Sequence, residues 1–102
     1  MFLVQLTYLV PLDEVDKFLP AHRAYLHDYY QKGLFLLSGP IKPRTGGILI
    51  ALTKDRAYLE SILQNDPYAL ASIASYDLTE FTPVMHCEEL KAIISHTEGN
   101  LC

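Results

Sequence analysis

Cysteine is scarce in this chain. Only Cys87 and Cys102 occur among 102 residues, so no disulfide framework organises the fold, and in a reducing compartment both thiols are expected to be free. Runs of lysine or arginine are also missing. Eight basic residues against twelve acidic ones give a net charge of −4, which leaves no electrostatic footprint for a phosphate backbone and argues against nucleic acid as a partner. No apolar stretch approaches the ~20 residues a membrane span requires, so no membrane partner is expected. The segment from Met1 to Val10 has no basic start and no small-residue cleavage site, and it carries Gln5 and Thr7. It reads as a strand rather than a signal peptide, and the expected location is the cytoplasm. Gly-x-Gly-x-x-Gly, P-loop and Gly-x-Ser-x-Gly patterns are absent, which removes the usual nucleotide cradles and the usual setting of a serine nucleophile. His22, His27, His86 and His96 fit no familiar ligand spacing, so neither a metal nor a cofactor is expected.

Apolar surface, in contrast, is plentiful. Hydrophobic residues make up 50% of the chain, and a domain of this size buries roughly two-thirds of its unfolded surface. A monomer has difficulty hiding the remainder, so a homodimer is expected. Strand-like segments are Met1 to Val10, Leu34 to Ser38, Ile48 to Leu52, and Ser75 to Glu80 continuing toward Val84. Ile48 to Leu52 is apolar on both faces, which requires cover on both. Pro20 separates a short turn over Asp13 to Phe18 from a main helix over Pro20 to Lys32, with Gly33 as its stop. Thr53 is the expected cap of a second helix over Lys54 to Gln64, with Tyr58, Leu59, Ile62 and Leu63 inward. Asp66-Pro67 opens one or two further turns, Glu88 to Ile94 forms a terminal helix, and Ser95 to Cys102 reads as a loose tail. Strand, helix, strand, strand, helix, strand is the order of the ferredoxin-like split βαβ unit. The fold class is therefore α+β: a four-stranded antiparallel sheet with helices on one face and its other face packed on a second copy.

Within the main helix, Phe18, Leu19, His22, Tyr25, Leu26, Tyr29 and Gly33 recur at intervals of three and four, so His22 lies on the inward stripe. Asp66 opens Asp66-Pro67-Tyr68. If the fold joins them, a carboxylate accepting the Nδ1 proton of His22 sets the tautomer and leaves Nε2 as a general base. Alternatively, His22 is a core histidine satisfied by a backbone carbonyl, and Asp66 is a helix N-cap. The two roles of Asp66 are compatible, with one oxygen capping and the other orienting His22.

Taken together, Ala21-His22-Arg23-Ala24-Tyr25-Leu26, Gly33, Ser38-Gly39-Pro40, Gly46-Gly47 and Asp66-Pro67-Tyr68 resemble the YCII-related (YciI-like) proteins of the dimeric α+β barrel superfamily. The resemblance spans roughly residues 1–84 and leaves 85–102 as a C-terminal extension. It implies a cleft in which His22 and Asp66 are paired as catalytic acid/base groups. Tyr68 stands where phenylalanine is more usual, keeping the aromatic ring and adding a hydroxyl. Ser38 and the Gly39 amide, with Pro40 and Tyr68, are candidates to line the cleft and bind substrate, although Ser38-Gly39-Pro40 also suffices as a simple turn. Lys42 and Arg44 on the adjoining loop could attract an acidic ligand, although solvated loop charges are the expected reading, and Tyr25, Tyr29 and Tyr30 read as packing with one hydroxyl within reach of a ligand. The expected function is a cofactor-independent small-molecule enzyme of lyase or isomerase type. The alternatives are a ligand-binding or regulatory module that uses the same cleft without turnover, and a dimeric interaction domain in which the pair serves only the fold.

Overall fold

The computed structural model describes residues 1–99. Its strands are β1 (Phe2–Tyr8), β2 (Phe35–Pro40), β3 (Gly46–Ala51) and β4 (Ala74–Glu80). They form one four-stranded sheet in the order β2-β3-β1-β4. Every neighbouring pair is antiparallel, which gives the ferredoxin-like α+β topology. The helices are α1 (Leu12–Asp16), α2 (Leu19–Gln31), α3 (Arg56–Leu63), α4 (Pro67–Leu70) and α5 (Lys91–Glu98).

Strand register sorts the side chains. Phe2, Val4 and Leu6 alternate inward along β1 and pair with Ala51, Leu49 and Gly47 of β3. The same three residues pair with Glu80, Leu78 and Tyr76 of β4. With Val15, Phe35, Leu59, Ile62, Leu63, Tyr68 and Ile73 they build the core beneath the helices. On the opposite face lie Leu3, Gln5, Thr7, Ile48, Ile50 and Leu37, with Ser75, Asp77 and Thr79 toward the β4 edge. Leu37 is 54% and Ile48 36% exposed, so within one chain β3 is covered on one face only.

Several boundaries differ from the sequence expectation for identifiable reasons. Asp55, not Thr53, caps α3, its carboxylate accepting the Tyr58 amide at 3.0 Å. Thr53 Oγ1 instead accepts the Asp55 amide at 3.1 Å, and the helix accordingly begins later. Tyr58 is 51% exposed, because Leu59, Ile62 and Leu63 already fill the inward stripe of this short helix. β4 stops at Glu80, since its partner strand is exhausted once the Phe81 amide reaches Met1 O at 3.0 Å. Pro83 then has no amide to extend the ladder. β3 begins earlier than expected, at Gly46, which shortens the loop after β2.

At the other end, a 3₁₀ turn over Glu88–Leu90 leads into α5, which runs to Glu98 rather than fraying after Ile94. Ile94 is buried, and the buried Glu98 Oε1 accepts from the Met1 amino group at 2.5 Å. Only the last part of the expected tail, 100–102 with Cys102, lies outside the described residues. Cys87 is exposed and unbridged.

Gly46 has no room for a side chain. A Cβ built there would stand 1.8 Å from the Leu6 carbonyl oxygen, which belongs to the neighbouring strand backbone and has no rotamer to move. Overpacking of this kind costs about 1–3 kcal/mol or more. Gly46→Ala is therefore expected to lower the urea midpoint by that equivalent, whereas Gly39→Ala, with nothing within 4 Å of its Cβ, should stay within about 1 kcal/mol of wild type.

Candidate functional site

α2 carries the stripe read from the sequence, yet none of its residues is fully buried. The reason is a cavity of about 690 Å³ beneath it, lined from α2 by Leu19, His22, Tyr25, Leu26 and Tyr30 among others. Ser38, Gly39 and Pro40 of β2 line its sheet side, and Asp66, Tyr68 and Tyr76 its far wall. All the sequence-derived candidates thus meet in one place.

His22 and Asp66 are in direct contact. Nδ1 lies 2.7 Å from Asp66 Oδ1, and the side chains are 13% and 2% exposed. The same Oδ1 accepts the Tyr68 amide at 3.0 Å, capping α4. Both expected roles of Asp66 therefore fall on one oxygen, which corrects the division between two oxygens read from the sequence. The other oxygen, Oδ2, accepts the Tyr76 hydroxyl at 2.6 Å. Because the aspartate oxygens act here as acceptors, Nδ1 carries the hydrogen, and in a neutral imidazole Nε2 is then the acceptor nitrogen. No described residue hydrogen-bonds Nε2.

Stacking completes the positioning of the imidazole. The Tyr68 ring lies parallel to it, 3.9 Å between centroids with a 9° tilt, and Tyr68 is itself 1% exposed. One ring face and one ring nitrogen are thus held, so the remaining nitrogen has a defined direction. The Tyr25 hydroxyl donates to the Ile62 carbonyl at 2.8 Å, tying α2 to the end of α3. It is kept from any ligand by that bond. Ser38 Oγ and the Tyr30 hydroxyl are 2.5 Å apart, which makes Tyr30 the tyrosine of that helix whose hydroxyl reaches the cavity wall.

Burial holds Tyr76 and Tyr25 in the neutral form, well above the ordinary tyrosine range, and for Tyr76 the Asp66 contact adds to it. A neutral phenol is what a buried carboxylate needs as a donor.

Sequence reasoning missed Tyr76 as a partner of the pair. Alternation in β4 places Tyr76 and Leu78 opposite Ser75, Asp77 and Thr79, so its inward direction was legible; the reach of its hydroxyl to Asp66 was not. Of the two readings of Lys42 and Arg44, the position of Arg44 matches the ligand-facing one. It lines the cavity and bonds Asp16 Oδ1 at 2.6 Å, whereas Lys42 is exposed on the loop.

Tyr76→Phe removes one of the three donors to a buried carboxylate. A hydrogen bond to a charged group contributes about 1.5–3 kcal/mol, and a loss of that size in chemical denaturation is expected, with the fold retained.

Comparison with known proteins bears on the scaffold. Eight chains of solved structures match. One is 5-chloro-2-hydroxyhydroquinone dehydrochlorinase (TftG) from Burkholderia phenoliruptrix AC1100, in complex with 2,5-dihydroxybenzoquinone. It is similar at 22% identity and a TM-score of 0.67, over 87% of this chain and 98% of that one. At that identity the likeness establishes the fold alone. No curated protein matches the chain. The YCII-related domain matches residues 1–82, and on that match, over most of its length, the chain belongs to the YCII-related family.

Proposed function

We propose that the chain is a cofactor-independent enzyme acting on a small oxygenated or aromatic molecule, with His22 as the catalytic base and Asp66 as its partner. The observation that carries this reading is the His22 imidazole fixed by Asp66 on one nitrogen and by Tyr68 on one face, with Nε2 unpartnered at a cavity large enough for a small ligand. The reaction class follows from the apparatus. Nε2 takes a proton from a C–H or O–H of the substrate, and Asp66 stabilises the imidazolium that results. The released electron pair then either relocates within the substrate, with the proton returned at a second atom, or expels a leaving group. The first outcome is isomerisation and the second a lyase reaction. A dehydrochlorinase of the same fold, with a dihydroxybenzoquinone bound, supports the lyase outcome and a ring-shaped substrate. Ser38, Gly39, Pro40 and Tyr68 are proposed to bind that substrate.

A homodimer belongs to this proposal. The exposed Leu37 and Ile48 share the open sheet face with Leu3 and Ile50, and packing that face on a second copy removes apolar area from water. Light scattering at micromolar concentration should return twice the 11.5 kDa chain mass; a monomer would refute the dimer.

The catalytic reading is tested by screening hydroxylated and halogenated quinols and related ring compounds for turnover, then comparing His22→Asn with wild type on any substrate found. General-base catalysis supplies about 10²- to 10⁴-fold, so kcat should fall by that factor while the protein remains folded. An unchanged kcat removes His22 from the chemistry. Binding of these compounds by wild type without turnover would instead identify a ligand-binding module.

A further inference from the structure

The cavity carries polar groups that proton transfer at His22 does not use. Among the described residues, Tyr68 carries the buried side-chain polar atom with no hydrogen-bond partner, its hydroxyl. Leaving a hydroxyl so is destabilising, and a phenylalanine ring would make the same stack on His22 without that penalty. The Tyr68 ring meets Tyr8 edge-on, 6.0 Å between centroids at 86°. Beyond it, Arg44 Cζ stands 5.8 Å from the Tyr8 centroid. Asp16 holds the guanidinium through one bond of 2.6 Å from Nη2 and the Tyr8 hydroxyl is a second side-chain partner, which together use only part of a fork of five N–H donors. Tyr8, Tyr68 and Arg44 all line the cavity that contains His22. Burial first, and then Tyr8, push the Tyr68 phenol up to about 12, with Arg44 acting in the opposite direction. It is therefore a protonated donor at neutral pH.

We propose that the Tyr68 hydroxyl and the Arg44 guanidinium form a second binding pole, separate from His22 Nε2, that receives an anionic oxygen of the substrate and restricts the site to acidic oxygenated ring compounds. A carboxylate, an ionised phenol or an ionised enol supplies such an oxygen. Asp16 offsets part of the Arg44 charge, so the pole suits a singly charged oxygen sharing both donors better than a phosphate. Asp16 is here a positioning residue. The inference rests on the reading of this cavity as a small-molecule site, but not on turnover.

Calorimetric titration with two probes tests it: 2,5-dihydroxybenzoquinone, whose hydroxyls ionise, and 2,5-dimethoxybenzoquinone, whose do not. Wild type should bind the dihydroxy compound at least about tenfold more tightly, the equivalent of one good hydrogen bond. Tyr68→Phe, which keeps the ring and should be at least as thermally stable as wild type, and Arg44→Gln should each reduce that preference by about tenfold. Affinity ratios unchanged in both variants would overturn the proposal, as would a wild type with no preference or no binding of the dihydroxy compound at millimolar concentration. The two readings fail separately. An unaffected rate in His22→Asn, with the probe preference lost in Tyr68→Phe, removes the base and leaves the pole; the reverse pattern removes the pole and leaves the base.

Discussion

One buried carboxylate organises this protein. Asp66 is 1% exposed, and removing a carboxylate from water costs several kcal/mol even after the surroundings relax. Three donors offset that cost: the His22 ring nitrogen, the Tyr68 amide and the Tyr76 hydroxyl. They come from α2, α4 and β4, so a single side chain joins the long helix, the short helix and the edge strand. Displacing any of these elements leaves an uncompensated charge in the interior, and that makes the geometry around His22 stiff.

The core and the cavity divide the inner face of the sheet between them. Under α3 and α4, Leu59, Ile62, Leu63 and Tyr68 are buried against Phe2, Val4 and Leu6. Under α2 the same apolar periodicity that would bury a helix elsewhere lines a cavity. The helix is kept in place by its edges instead, through the Tyr25 hydroxyl on Ile62 and the aromatic contacts of Tyr25 and Tyr29 with Phe35. His22, the polar group on that stripe, thus lines the cavity rather than the packed core.

Most of the scaffold was legible because its signals are local. Gly33, at φ +74°, ends α2 as a residue suited to positive φ should. Asp66-Pro67 opened a helix through a side chain that reaches only two residues along the chain. Failures occurred where two local signals competed, as with Thr53 and Asp55, or where a distant partner decided the outcome. The final turn of α5 depends on Glu98 meeting the Met1 amino group across the whole sequence, and no window of periodicity contains that contact.

Sequence alone determined the order of elements, the inward direction of His22 and the capping role of Asp66, since each follows from spacings of a few residues and from backbone stereochemistry. Tertiary structure alone decided that one Asp66 oxygen serves both the cap and the histidine, that Tyr76 holds the other, and that the Tyr68 hydroxyl has no partner among the described residues. These are contacts between side chains tens of residues apart. Their distances depend on strand register and helix packing, which set positions to within an ångström, and residue spacing along a chain carries no information at that scale.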